Sequence, residues 1–238
     1  MKGGALGLCV VVAAVLLGCG GDGGDDASTA GAQPRTAIDP QQQQRAETMS
    51  LALGDFPPGW RASDPDDSND ADFDKCNTND LSGFTKVGDA ESQEFKMGNS
   101  QISSSTSIYA TDEEAKEVLD LGAGVLTDQS QADCFADSFR EALQKDPDTR
   151  QYEVGDAELG ELSFVPPTGV EESRAFQIVL PLEAKNSSND VVVEAVVLHQ
   201  GDALVALTTV GVDEPVNRSL RDALAQALAG KMAAAASA

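Results

Sequence analysis

Few residues in this sequence carry reactive chemistry. The chain has one histidine, His199, and four cysteines, Cys9, Cys19, Cys76 and Cys134. Cys9 and Cys19 belong to an apolar N-terminal segment, which leaves Cys76 and Cys134 for a folded domain. That pair has three readings: a disulfide, two buried free thiols, or a thiol nucleophile. A nucleophilic thiol needs a base to hold it as thiolate, and His199 is the sole imidazole that could serve. In a secreted chain, two domain cysteines read as a disulfide. Closing a loop of this length is worth about 4 kcal/mol in the chain-entropy account. His199 ends an apolar run beside Gly201-Asp202, so it reads as a half-exposed residue next to a turn.

Acids are abundant, with 40 Asp+Glu against 16 Lys+Arg and a formal charge of −24. Binding phosphate needs a basic footprint, so nucleic acid is excluded as a partner. A single imidazole also excludes a His-rich zinc centre. Asp64, Asp66, Asp67, Asp70, Asp72, Asp74 and Asp80 crowd one stretch, and Asp70-x-Asp72-x-Asp74 has the spacing of half an EF-hand loop. Lys75 and Leu81 stand where that loop requires Gly and a bidentate Glu, so the motif fails. The stretch reads as a solvated loop, with weak calcium binding as the alternative. There is no G-x-S-x-G elbow, Walker A, G-x-G-x-x-G or H-E-x-x-H. Aromatic residues are 5% of the chain, few for the sugar platforms that accompany paired carboxylates in glycosidases. No catalytic residue, cofactor or metal site is assigned on these grounds.

The N-terminus decides where the chain goes. Met1-Lys2 precedes an apolar run over residues 5 to 17. That run has the length of a signal-peptide core and is short of the roughly 20 apolar residues that span a bilayer. It ends Leu16-Leu17-Gly18-Cys19, followed by Gly20-Gly21-Asp22. This resembles the lipobox of bacterial lipoproteins, in which the Cys becomes the acylated first residue. The resemblance implies lipidation at Cys19 and attachment to the cell membrane, on its extracytoplasmic face. An ordinary secretory signal cut near Gly18 is the alternative. Residues 1–18 are then the signal peptide. Residues 19–46 hold almost no large apolar side chains and read as a disordered tether, reaching roughly 30 Å on average.

Residues 47–238 must supply the scaffold. They predict one α+β domain: a single antiparallel sheet flanked by helices and closed by a C-terminal amphipathic helix. Thr48 to Leu53 is a short helix, Phe56-Pro57-Pro58-Gly59-Trp60 a turn, and Gln93 to Met97 and Gln101 to Ala110 are strands. Thr111-x-x-Glu114 is a capping box opening a helix that breaks at Gly122 or Gly124. Ser130 caps a second helix running to Lys145. Tyr152 to Val165 is irregular, and Arg174 to Glu183 alternates as a strand. Asp190 to His199 and Ala203 to Val212, turning at Gly201-Asp202, form a hairpin inside the sheet, because both strands are apolar on both faces. Asp213 and Pro215 start the last helix, with a stripe of Val216, Leu220, Ala223, Leu224, Ala227 and Leu228, and the tail frays from Ala233.

With FPPGW, the helix-borne Cys134 and the closing hairpin and helix, this order resembles actinobacterial envelope lipoproteins, including LpqN-type proteins of the PsbP-like fold. It is also similar to the extracellular sensor domains of mycobacterial Ser/Thr kinases. The resemblance implies an antiparallel sheet flanked by helices and no enzymatic activity. The expectation is a non-catalytic, lipid-anchored binding or sensing module that meets a small lipid or envelope ligand. The alternatives are an accessory partner of an envelope complex and an unrecognised hydrolase. An apolar cavity would favour the first, an exposed apolar patch the second, and a cleft holding His199 the third.

Overall fold

A computed structural model describes residues 32–63, 76, 79–125, 128–145, 151–184 and 187–237. The signal segment, Cys19, residues 20–31 of the expected tether and the acidic stretch Asp64 to Asp74 lie outside the described residues. The elements run β1 (Arg35–Thr36), α1 (Pro40–Met49), β2 (Arg61–Ser63), β3 (Thr85–Glu91), β4 (Glu94–Met97), β5 (Ser100–Tyr109), α2 (Asp112–Val125), α3 (Gln129–Lys145), β6 (Glu153–Val154), β7 (Glu158–Glu161), β8 (Glu172–Ala184), β9 (Ser187–Gln200), β10 (Ala203–Val212) and α4 (Arg218–Ala236). No helix among the described residues is long and apolar enough to cross a membrane.

The ten strands among the described residues join one sheet ordered β1-β3-β5-β10-β9-β8-β6, with β4 also on β5, β2 on β4, and β7 on β8. The predicted hairpin is at its centre. Val205 opposes Leu198, Leu207 opposes Val196, and the turn places Gly201 at φ 57°, a left-handed conformation that glycine adopts freely. On one face Val191, Val193, Val197, Leu204, Ala206 and Val210 pack with Ala115, Val118 and Leu119 of α2 and Phe135 and Phe139 of α3. On the other, Val196, Leu198, Val205 and Leu207 pack with Met49 of α1 and Leu224, Leu228 and Met232 of α4. Helices thus cover both faces, which is why the central strands are apolar on both sides. Trp60 is buried beside Phe56, whose ring lies 5.1 Å from the indole and 4.4 Å from Phe95. FPPGW is therefore packing.

Several expectations are corrected. The sheet is mixed, because β1 runs parallel to β3, Arg35 beside Thr85. The tether does not extend to residue 46. Asp39 caps α1 by accepting from the Gln41 and Gln42 amides, Pro40 takes the first helical position, and Ala46 and Met49 are buried. Gln43 locks the helix to β3: its amide group donates to the Asp89 carbonyl at 2.6 Å and accepts from the Asp89 amide at 3.2 Å. Gly88 makes the approach possible, since a Cβ there would lie 2.6 Å from the Gln42 carbonyl oxygen. Composition misread this segment because glutamine holds it through hydrogen bonds that a count of apolar side chains ignores. The short helix expected at Thr48 to Leu53 is the end of α1 followed by a 3-10 turn at Leu53–Asp55.

In α2 the helix continues through both glycines to Val125, and Asn79 donates to the Leu121 carbonyl at 3.1 Å near its end. The capping box is half formed. Thr111 Oγ1 accepts from the Glu114 amide at 3.1 Å, while the Glu114 carboxylate accepts from the Thr85 amide at 2.9 Å and ties α2 to β3. Asp128, not Ser130, caps α3, accepting from the Ser130 amide and hydroxyl. Helix α4 starts at Arg218 because Asn217 caps the Ser219 and Leu220 amides. Its buried face is Arg221, Leu224, Ala225, Leu228, Ala229 and Met232, with Ala223 exposed, and the alanine-rich end stays helical.

Cys76 and Cys134 form a disulfide with a Cα–Cα distance of 5.7 Å across 58 positions, pinning the loop before β3 to α3. Reduction should remove about 4 kcal/mol. At about 2–4 °C per kcal/mol for a domain of this size, calorimetry with and without reductant should show Tm falling by roughly 10 °C.

Candidate functional site

Glu194 is a lone charge in the apolar run Val191 to Leu198. Period-two alternation places it on the α4 face of the central strand, where its cross-strand neighbours are Gln177 of β8 and Thr209 of β10. There it is only 3% exposed. A carboxylate so deeply desolvated needs a cation. Arg221 supplies it from the first turns of α4, itself 2% exposed. Its Nη1 donates to Glu194 Oε1 at 3.0 Å. Its Nε and Nη2 donate to Asp222 Oδ1 at 3.0 and 2.8 Å. Nη2 also reaches the Ser163 carbonyl at 3.4 Å, and the guanidinium lies 5.8 Å from the centre of the Phe164 ring. Thr209 Oγ1 and Gln177 Nε2 make longer bonds to the Glu194 carboxylate, at 3.3 and 3.4 Å.

Above this pair lies an open cleft of about 370 Å³, lined by Leu162, Ser163, Glu194, residues 214 to 218 and Arg221. Leu162, Pro215 and Val216 give it an apolar wall. Glu194 and Arg221 form its inner surface, being nearly fully buried. Two acids, Glu194 and Glu214, balance Arg218 and Arg221, so the lining has no net charge to select an ion. A few convergent polar groups beside apolar walls is the make-up of a small-molecule site. The sequence reading missed both residues of the pair. The available signal was Glu194 itself, a charge inside a two-faced apolar strand that had to find a partner.

His199 is placed differently from expectation. It is the penultimate residue of β9, beside the turn as predicted, but is 2% exposed rather than half-exposed. Residue parity puts its ring on the α2 face, and the start of β8 lies beside it in the sheet, with Glu172 paired opposite and the Glu171 amide donating to the His199 carbonyl at 3.0 Å. Its Nε2 is 2.8 Å from the Gly201 carbonyl and 3.1 Å from Asp112 Oδ1. Cys76 and Cys134 are joined to each other, so neither is a thiol that His199 could activate. Next to this ring, Lys116 donates to Glu172 at 2.9 Å, and Arg174 pairs with Glu172 as well. The Lys116 hydrogen bond, aided by Arg174, holds the Glu172 carboxyl below its ordinary range. Asp80, the member of the acidic stretch that is described, accepts from the Ser82 amide at 3.0 Å.

No protein-family profile matches the chain, and no curated protein sequence matches it. Among solved structures, the extracellular domain of PknH from Mycobacterium tuberculosis is similar at 10% identity and a TM-score of 0.25, over 60% of this chain and 60% of that one. At this level the likeness does not identify a shared fold.

Proposed function

We propose that this chain is a lipid-anchored, extracytoplasmic module that binds a small ligand without transforming it. The cleft over the Glu194–Arg221 pair carries the reading: about 370 Å³ of open volume, apolar on one side and hydrogen-bonding on the other, at the junction of the central strands and the last helix. A buried ion pair at its inner surface gives a bound molecule a fixed polar contact, and Leu162 and Val216 give it an apolar one. The chemistry that suits this is a compact molecule with an apolar body and a hydrogen-bonding end, such as a lipid or envelope metabolite. The anchor rests on Leu16-Leu17-Gly18-Cys19 after a short apolar run. Acylation at that cysteine stabilises membrane attachment by about 0.8 kcal/mol per buried methylene.

Native mass spectrometry of the chain extracted from its own membrane tests the ligand. The wild-type protein is expected to retain a small-molecule mass. Leu162→Trp, which fills the cleft from a half-buried position, should lose it while the circular dichroism spectrum is unchanged. A wild-type chain that carries nothing, or a variant that carries the same mass, overturns the reading. Co-purification of a protein in place of a small molecule would favour the accessory-partner alternative. The anchor has its own check. Cys19→Ala should move the protein from the membrane pellet to the soluble extracytoplasmic fraction, and continued membrane retention defeats lipidation at that residue.

A further inference from the structure

We propose that His199 Nδ1 and the Glu171 carboxylate bind one divalent transition-metal ion, with Asp112 holding the ring from its other nitrogen and Zn²⁺ as the ion that fits best. One ligand atom from each of the three lies within 4.8 Å of the others. The telling observation is the histidine ring. A backbone carbonyl only accepts, so the contact of Nε2 with the Gly201 carbonyl at 2.8 Å puts the proton on Nε2. In the neutral ring Nδ1 then carries the lone pair. It is buried, has no hydrogen-bond partner, and faces Glu171 Oε2 at 3.9 Å. Two acceptors 3.9 Å apart leave a place for a cation between them. Zinc bonds to imidazole nitrogen at about 2.0–2.1 Å and to carboxylate oxygen at about 2.0–2.2 Å, so an ion bridges this gap at a bent angle with little movement.

The arrangement has the support that metal sites need. A ligating imidazole is held by a hydrogen bond from its other nitrogen, and here the Gly201 carbonyl and Asp112 flank Nε2. The Glu171 backbone is fixed by the hydrogen bond its amide donates to the His199 carbonyl, and Asp112 opens α2 directly after the Thr111 cap. Among the described residues neither Asp112 nor Glu171 is paired with a Lys or Arg, whereas the adjacent Glu172 is neutralised by Lys116 and Arg174. The two carboxylates are 57% and 58% exposed, so the ion enters from solvent, completes its shell with water, and rests on a buried nitrogen. One nitrogen with carboxylate oxygens suits zinc better than calcium or magnesium, which prefer all-oxygen shells.

The test is calorimetric titration of Zn²⁺ into the chelator-treated full-length chain in detergent. One ion per chain is expected. Glu171→Gln and Asp112→Asn should each weaken binding tenfold or more while leaving the metal-free Tm unchanged, because both side chains are more than half exposed. Nitrogen-15 NMR of the single histidine should find the Nδ1 resonance shifted by added zinc. Failure to bind Zn²⁺ at millimolar concentration, affinity unchanged in both variants, or an Nδ1 resonance unmoved by zinc overturns the proposal.

Discussion

Val196→Asp unfolds the domain. Val196 is fully buried on the central strand β9, opposite Leu207 on one side and Ala175 on the other, in the layer beneath α1 and α4. The sheet has no give at this position, because β10 and β8 flank the strand and helices close both faces. The nearest charge on its own strand and face is Glu194, two residues away, which repels an aspartate there. Burying an unpaired charge costs about 4–5 kcal/mol or more, comparable to a whole domain stability of about 5–15 kcal/mol. Loss of the far-ultraviolet dichroism and of soluble yield is the expected result. Val165→Asp is the control: Val165 is 68% exposed, so the same chemical change should alter stability by no more than about 0.5 kcal/mol. A cooperative, native-like melt for Val196→Asp would mean that the central layer is not packed as described.

The second large effect belongs to the buried ion pair. Arg221→Met leaves the Glu194 carboxylate 3% exposed with two long neutral hydrogen bonds, from Thr209 and Gln177. Removing one member of a buried pair costs about 3–5 kcal/mol, so that loss is expected in urea unfolding. Glu194→Gln should cost less, about 1–3 kcal/mol, because Arg221 keeps Asp222. The double variant Glu194→Met with Arg221→Met should recover most of the loss, since a well-packed apolar pair of similar volume replaces the ions. If Arg221→Met costs under about 1 kcal/mol, the pair is solvated and the inner surface of the cleft is not what the geometry describes.

The layered plan was legible to a large extent. Apolar residues on both faces of 190 to 212, broken by Gly201-Asp202, demand a central hairpin, and the structure has it with the predicted turn. The disulfide was legible as one of three readings, because two cysteines in a secreted domain leave little else. Errors fall where a residue's role depends on a distant partner. Gln43 was counted as tether because its bonds to Asp89 span 46 positions. Asp128 rather than Ser130 caps α3 because the boundary depends on which oxygen reaches the free amides.

Hydrophobic period, turn chemistry and cysteine count are local quantities, and they were enough to specify helices α2, α3 and α4, the central hairpin and the excess of negative charge. Which helices lie on which face is a matter of three-dimensional packing, as is the parallel edge strand at Arg35. The candidate sites belong to the same class. Glu194 and Arg221 are 27 positions apart, and Asp112 lies far along the chain from Glu171 and His199. Each residue alone is an ordinary charge or a turn histidine. Burial makes it consequential, because a desolvated charge or lone pair must be matched, and only the folded chain decides which side chain is near enough to match it.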